Sequence, residues 1–284
     1  RDHGQEEIAL DLPAKSPGSP AGGLARSVPG AVAGPMPESM VPMQAFATAT
    51  PPTGPDWIYE VKWDGVRAIC YIDPAGVRLV SRNGNRCELQ YPELSAIRSY
   101  VNAERAVLDG EIAVSDERGR PRFQLIQQRI HVTGAHTIAS LARTLPAQYF
   151  AFDLLYLDGY DLCKSPLMER KHLLQTILTQ GPVARLSEHF EGDPQVFLEA
   201  ARQNQLEGIV SKRASSTYES RRSPNWLKTK IVSQQEFVIC GFTKGERGGY
   251  FGVLVVGLYE DGGVVWAGDV GRGFDERRRE SVSA

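Results

Sequence analysis

Nine residues, Tyr149-Phe150-Ala151-Phe152-Asp153-Leu154-Leu155-Tyr156-Leu157, run with a single charged interruption. A short, almost unbroken apolar run of this kind is a strand covered on both faces, at the centre of a sheet. The rest of the chain must then supply neighbouring strands and covering helices. Trp57 to Lys62 reads as a strand, Val66 to Ile72 as a second after a turn at Asp64-Gly65, and Gly76 to Ser81 as a third before Asn83-Gly84. Ala106 to Val114 reads as two buried strand pieces around Asp109-Gly110. Helices are expected from Tyr91 to Tyr100, from Phe123 to Arg129, after Thr137, from Pro166 to Leu178 and from Pro194 to Asn204. In the fourth of these, Leu167, Leu173, Leu174, Ile177 and Leu178 recur at helical spacing.

Two stretches differ in texture. Residues 1–38 are dense in Pro, Gly, Ala and Ser and read as a flexible linker, with order starting near Met40. From about Ile231 three strands follow at short spacing: Glu236 to Phe242, Gly252 to Tyr259 and Gly263 to Gly268. They read as the start of a small β-barrel, followed by a charged stretch that begins a helix. Three or four strands are too few to close such a barrel.

With 42% hydrophobic and 23% charged residues, the composition is that of a soluble globular protein. No apolar run is long enough to span a bilayer, and the first residues lack the order of a secretory signal. Cys70, Cys87, Cys163 and Cys240 lie far apart and form no C-x-x-C pair, which argues against a zinc ribbon and a disulfide framework and fits a reducing cytoplasm. The net charge of −2 does not by itself favour a polyanionic partner. Between Arg202 and Lys230, however, Arg202, Lys212, Arg213, Arg221, Arg222, Lys228 and Lys230 stand against only Glu207 and Glu219. Such a strip can face phosphates, although alone it reads more readily as a solvated surface.

The chemistry-bearing residues come in a fixed order. Glu60-Val61-Lys62-Trp63-Asp64-Gly65-Val66-Arg67 sets a lysine two residues before an Asp-Gly turn. Taken alone, that is a surface lysine beside a hairpin. Ser81-Arg82-Asn83-Gly84 follows with an arginine at a strand end, and Asp109-Gly110-Glu111 with a carboxylate inside an apolar segment. Phe152-Asp153 carries an aromatic in the central strand. Glu207-Gly208-Ile209-Val210-Ser211-Lys212 brackets apolar residues with an acid and a lysine. In Trp226-Leu227-Lys228-Thr229-Lys230 the alternation of a strand puts both lysines on one face. Each has a structural explanation: Glu111 as an edge charge, Phe152 as plain core, Lys228 and Lys230 as solvated. Several strand-centre charges in one chain are costly unless they share a pocket.

This ordered set, from about Met40 to Gly273, resembles the covalent nucleotidyltransferase superfamily of DNA ligases, RNA ligases and mRNA capping enzymes. Its wording is similar to that of ATP-dependent DNA ligases, above all the ligase domain of the bacterial multifunctional end-joining ligases (the ligase D type). Phe152 to Gly159 and Gly241-Phe242-Thr243 carry that closer likeness. The resemblance implies an α+β fold. Residues 39–230 would be a nucleotidyltransferase domain (ATP-grasp-like ligase adenylation) of antiparallel sheets with helices, and 231–284 the start of an incomplete OB-fold barrel.

It also implies a mechanism. Lys62 attacks the α-phosphate of ATP, the AMP passes to the 5′-phosphate of a DNA nick, and the 3′-hydroxyl displaces it. A lysine of ordinary pKa, about 10.4, is almost wholly protonated at neutral pH. Lys228, Lys230 and Mg²⁺ (or Mn²⁺) would favour its neutral form and offset charge on the phosphates. Asp64 would order the pocket and the sealing step. Glu111 would contact the ribose, Glu207 the nucleotide or metal, and both would be metal ligands. Phe152 would stack on adenine and Glu60 would help read it. Arg67 and Arg82 would bind phosphate or ribose, Arg82 preferentially the nick 5′-phosphate. The implied partners are nicked duplex DNA, Ku and fused polymerase and phosphoesterase modules, for a monomer in the bacterial cytoplasm at the nucleoid, without a membrane. The family closes its barrel with a further basic motif that this sequence does not contain, so weak charging of Lys62 is expected. Two other readings are an RNA ligase or capping-type enzyme, and a catalytically impaired fragment that binds nicked DNA.

Overall fold

The computed structural model describes residues 21–231, 237–245, 251–260 and 262–283. The chain divides into two compact units after Ile231.

The first unit is built on two sheets. The larger has seven strands, ordered β1 (Val32–Ala33), β8 (Tyr160–Asp161), β7 (Gln148–Leu157), β6 (Ala106–Ala113), β4 (Val66–Asp73) and β5 (Gly76–Ser81), with β9 (Ala184–Leu186) also paired to β7. The smaller has five, ordered β10 (His189–Phe190), β3 (Trp57–Val61), β11 (Gly208–Arg213), β12 (Arg222–Lys230) and β2 (Gln44–Ala47). Pairing is antiparallel except for β7 with β9 and β12 with β2, which are parallel. The apolar run at 148–157 is a central strand, as its composition requires: all of it beyond Gln148 is buried.

Alternation along β4 assigns the two faces of the large sheet. Ala68, Cys70 and Ile72 enter one core with Leu108, Ile112, Leu154, Leu174 and Ile177. Ile69 and Tyr71 enter a second with Met43, Val107, Phe152, Tyr218 and Trp226. The first core is covered by α5 (Leu167–Ile177), whose Leu167, Leu173, Leu174 and Ile177 are buried. The second takes residues from both sheets. Among the remaining helices, α2 (Ile97–Tyr100) continues a 3₁₀ turn at Pro92–Ala96, where a single helix from 91 to 100 was expected. The others of this unit are α3 (Phe123–Gln127), α4 (Ala135–Thr144) and α6 (Pro194–Gln203).

Three expectations are corrected. Residues 21–38 are not a linker. Ala21–Arg26 forms α1, with Ala21 and Ala25 buried in the first core, β1 pairs with β8, and Tyr156 Oη donates to the Gly34 carbonyl at 3.1 Å. Small residues let this segment lie close to the sheet, and the same composition mimics a linker. Residues 1–20 lie outside the described residues. Next, 106–113 is one strand rather than two pieces. Its irregularity resides in β7: Val107 pairs Tyr156 while Leu108 pairs Leu154, and Asp109 pairs Asp153 while Gly110 pairs Ala151. Leu155 and Phe152 are therefore the extra residues of two bulges. Finally, Asp64-Gly65 does not turn a hairpin. β3 and β4 belong to different sheets, and residues 62–65 carry the chain between them.

The second unit contains a three-stranded antiparallel sheet of β13 (Val238–Lys244), β14 (Phe251–Glu260) and β15 (Gly263–Val270), followed by α7 (Glu276–Ser283). Phe251, Leu254 and Val256 form its small core, with Phe274 packed against it. Glu236, expected in the first strand, lies outside the described residues.

Candidate active site

Lys62 leaves the end of β3 at the crossing between the sheets. Its backbone N–H donates to the Gly208 carbonyl at 2.9 Å, continuing the β3–β11 ladder by one residue. The crossing passes tight against β6: a Cβ on Gly65 would stand 2.1 Å from the Ile112 carbonyl oxygen. On the far side, Trp63 stacks on Phe150, with ring centroids 3.8 Å apart, and its Nε1 donates to Ser187 Oγ at 2.9 Å. The residues on both sides of Lys62 are thus anchored.

The Lys62 ammonium hydrogen-bonds Glu207, whose other oxygen accepts from Lys230 at 2.8 Å. Glu207 is delivered by Gly208, which has φ +151° and whose absent Cβ would lie 2.2 Å from the Thr229 carbonyl oxygen. Burial alone would raise the Glu207 pKa, but the hydrogen bonds from Lys230 and Lys62 outweigh it and hold it below the ordinary value. Lys230 is correspondingly raised, mainly by its bond to Glu207. Its charge is therefore largely answered by this carboxylate, where the sequence placed it as a free cation beside Lys62. Lys228 differs: burial, then repulsion by Lys62, Arg222, Lys230 and Arg82, lowers its pKa.

Glu111 and Asp109 project from β6 on the side of the second core, opposite Arg67 and Ile69 of β4. Burial pushes the Glu111 carboxyl up to about 8; Arg67 and Lys62 oppose the shift, and Asp109 and Glu207 add to it. Asp64 is also raised, first by burial and then by Glu207. Arg67, expected on phosphate or ribose, lines the cavity and forks onto Asp109 through Nε and Nη2, both at 2.6 Å, and donates to the Met43 carbonyl at 3.0 Å. Tyr218 Oη donates to the same Asp109 at 2.6 Å. The Arg67 guanidinium lies 4.6 Å from the Phe152 ring centre, and Lys212 Nζ lies 4.3 Å from it. Trp226 meets that ring edge-on at 6.0 Å.

Glu60 is buried rather than presented to solvent. Lys171 Nζ donates to it at 2.8 Å, Lys212 Nζ lies at 2.9 Å, and Ser187 Oγ donates to its second oxygen at 2.8 Å. Burial would raise its pKa, but the Lys171 and Lys212 charges prevail and lower it. Burial lowers Lys212 to about 8 despite Glu60. Arg82 is exposed and donates to Gln44 Oε1 at 3.0 Å.

One cavity draws this set together. Glu60, Lys62, Arg67, Arg82, Glu111, Phe152 and Lys228 line it, with Lys212 and Trp226. Asp64, Glu207 and Lys230 are not in its lining, but Glu207 and Lys230 are tied to Lys62 at its edge. Reading the sequence alone passed over Asp109, Lys171, Ser187, Gln44 and Arg222 as site residues and quoted Lys212 and Trp226 without a role. Lys171 carried a signal: it sits between Leu167 and Leu174 at helical spacing, a charge on an apolar face. Lys212 and Trp226 could have been placed by alternation with Val210 and Lys228, all of which face the cavity.

Among the described residues no group of three His, Cys, Asp or Glu side chains is arranged around a metal position. Magnesium needs only one or two carboxylates and completes its shell with water and phosphate oxygens. Glu111 and Glu207, close enough for Glu207 to raise the Glu111 pKa, fit that requirement.

Comparison with known proteins agrees with this geometry. A family model described as the ATP dependent DNA ligase domain matches residues 40–230. The chain is 39% identical over 248 residues to the multifunctional non-homologous end joining protein LigD of Pseudomonas aeruginosa, covering 84% of this chain and 28% of that protein. It is 32% identical over 205 residues to the SPbeta prophage-derived DNA ligase-like protein LigB of Bacillus subtilis, covering 72% of each. The chain thus spans less than a third of the LigD relative. A solved structure of mycobacterial DNA ligase D complexed with ATP and MES shares the α+β ligase fold, with a TM-score of 0.61 and 33% identity over 86% of this chain and 76% of that one. From its sheets, its cavity and these likenesses, the chain belongs to the ATP-dependent DNA ligase family.

Proposed function

We propose that this chain is the catalytic core of an ATP-dependent DNA ligase and that Lys62 carries the AMP. The observation behind this reading is the Lys62 amine, hydrogen-bonded to Glu207, in a cavity whose lining also holds Glu111, Phe152, Arg82 and Lys228. In the first step a proton leaves the Lys62 ammonium, and Glu207, which accepts its hydrogen bond, is the base at hand. The Nζ lone pair then forms a bond to the α-phosphorus of ATP. The bridging P–O bond breaks, and pyrophosphate departs with its electron pair. Lys228 and Arg82 favour the charge that collects on the phosphate oxygens. Glu111 and Glu207 are the carboxylates that would hold Mg²⁺ or Mn²⁺, which supplies further neutralisation of that charge.

In the second step an oxygen of the nick 5′-phosphate attacks the bound AMP, the P–N bond breaks and Lys62 regains a proton. In the third the 3′-hydroxyl gives up its proton to solvent, its oxygen bonds to the 5′-phosphorus, and the anhydride P–O bond breaks so that AMP leaves with the electron pair. Phe152 offers adenine a stacking surface; on nucleic-acid platforms each such contact contributes about 1–3 kcal/mol. Glu60, held by its lysines, is positioned to orient the base. Arg67, committed to Asp109, orders the pocket wall. Asp64, whose carboxyl burial and then Glu207 raise, is assigned to ordering the pocket and the sealing step.

Relatives named for non-homologous end joining support nicked or broken duplex DNA as the substrate; Ku and polymerase and phosphoesterase modules are proposed as partners from the motif resemblance alone. No helix among the described residues is long and apolar enough to cross a membrane. The test is incubation with α-labelled ATP, and in parallel α-labelled GTP. The wild type should take label from ATP alone and Lys62→Ala from neither. Label on the alanine variant removes Lys62 as the nucleophile, and label from GTP alone replaces the ligase reading with a capping-type one.

A further inference from the structure

Glu60 lines the nucleotide cavity, but Lys171 and Ser187, which hold its carboxylate, do not. Lys171 of α5 donates to Oε1 at 2.8 Å, and Lys212 Nζ lies 2.9 Å from the same oxygen. Ser187, between β9 and β10, donates to Oε2 at 2.8 Å. Glu60, Lys171, Lys212 and Ser187 are all buried.

The direction of each proton in this group is fixed. Trp63 Nε1 can only donate, and it donates to Ser187 Oγ at 2.9 Å. The Ser187 hydroxyl accepts there and so directs its own proton to Glu60. Lys171 also only donates, and it bonds the Ser187 carbonyl at 3.0 Å as well as Glu60. The Ser187 N–H donates to the Ala151 carbonyl at 2.7 Å, which ties the serine to β7. Burial would favour a proton on Glu60, but the Lys171 and Lys212 charges prevail and lower its pKa. Among the described residues, the groups that hold this carboxylate are all donors. Two ammonium groups crowd Oε1, and Oε2, with Ser187 alone, keeps one acceptor position. A ligand atom that pairs with that position must carry hydrogen. A carbonyl oxygen there would set two acceptors face to face in a buried site.

We propose that Lys171 and Ser187, steered by Trp63, are positioning residues that decide the base: they lock Glu60 as a pure acceptor, so the cavity selects a purine with an amino group at C6 over one with a carbonyl there. The inference rests on the ligase reading, in which Glu60 orients the base. It brings in two residues from outside the ordered motifs and gives Trp63 a second task. Trp63 follows the nucleophile directly, and its indole sets the proton of the serine that faces Glu60. Mounting of the amine and choice of the base thus share one side chain.

The test is single-turnover labelling of the full chain by α-labelled ATP, inosine triphosphate and purine riboside triphosphate, which carry an amino group, a carbonyl and a hydrogen at C6. The wild type should use ATP at least about a hundred-fold more efficiently than inosine triphosphate, because the carbonyl leaves buried acceptors unpaired. Lys171→Met leaves a buried carboxylate with one fewer cation, which favours its protonated, donating form. That variant and Ser187→Ala should each shrink the preference about ten-fold or more. Lys171→Arg keeps a charged donor and should recover most of it. Labelling by purine riboside triphosphate, which offers Glu60 neither group, should change less than labelling by ATP. The wild-type preference retained in Lys171→Met and Ser187→Ala overturns the proposal. So does an equal loss with all three nucleotides, which marks a merely structural role. If Lys171→Met fails to fold, the preference of Ser187→Ala decides. A wild type that uses ATP and inosine triphosphate equally well overturns the proposal too, since there is then no selection to set. A wild type that takes no label from any of the three refutes the ligase reading instead.

Discussion

Replacing Glu111 with Gln should make the protein less sensitive to pH between 5 and 8. Burial moves this carboxyl from its ordinary 4.5 to about 8. Between those values the folded protein keeps a proton that the unfolded chain has released, so stability falls as pH rises through the window. At about 1.4 kcal/mol per pH unit, the full window between the two values sets a ceiling of about 4 to 5 kcal/mol. Glu111 keeps partial contact with solvent, which reduces the expected loss to roughly 2 kcal/mol between pH 5 and 8. The substituted amide would retain the shape and titrate nowhere in this range. Urea unfolding at pH 5, 6.5 and 8 measures the difference directly, since a domain with stability of about 5 to 15 kcal/mol resolves a change of that size. The free energy of the wild type should drop relative to Glu111→Gln across the series. Parallel pH profiles for the two proteins would refute the buried-carboxyl argument.

Millimolar Mg²⁺ at pH 8 should raise the unfolding midpoint of the wild type more than that of Glu111→Gln, and equal shifts would remove Glu111 as a ligand. Asp153 and Arg170 are fully buried and joined by two hydrogen bonds of 2.7 and 2.8 Å, so Asp153→Ala should cost about 3 to 5 kcal/mol in urea unfolding by stranding a guanidinium. Adding Arg170→Met should recover most of that loss. Gly208→Ala meets both a φ of +151° and the Thr229 carbonyl, so it should lower stability by more than about 1 kcal/mol and slow Lys62 labelling at least ten-fold. Labelling at the wild-type rate would show that Glu207 does not depend on that glycine. Lys230→Ala should raise the pKa of Glu207 by removing one of its two amines, visible as a change in the pH dependence of labelling on the acid side.

Where side-chain chemistry and strand alternation coincide, the sequence was readable. Lys62, Arg82, Glu111, Phe152 and Lys228 stand in strands or at strand ends whose apolar neighbours mark which face is inward, and all five line one cavity. What escaped reading depends on partners distant in the chain. Glu60 does line the cavity, but nothing near it in the sequence reveals Lys171, 111 residues away, or the burial of its carboxylate. The fork of Arg67 on Asp109 joins two neighbouring strands and leaves no mark in the sequence. The bulge at Phe152 is invisible in an apolar run, since only the register against β6 exposes it. Ala21 and Ala25 show the converse failure, in which small residues chosen for close packing have the composition of a tether.

Residues 62–65 are at once the bridge from one sheet to the other and the place where the amine is mounted. A residue gained or lost there would rotate Lys62 away from Glu207 and would also slide β4 against β6. The spacing from lysine to glycine is therefore dictated by architecture as much as by chemistry, and a change of length here would disturb the sheet as well as the amine.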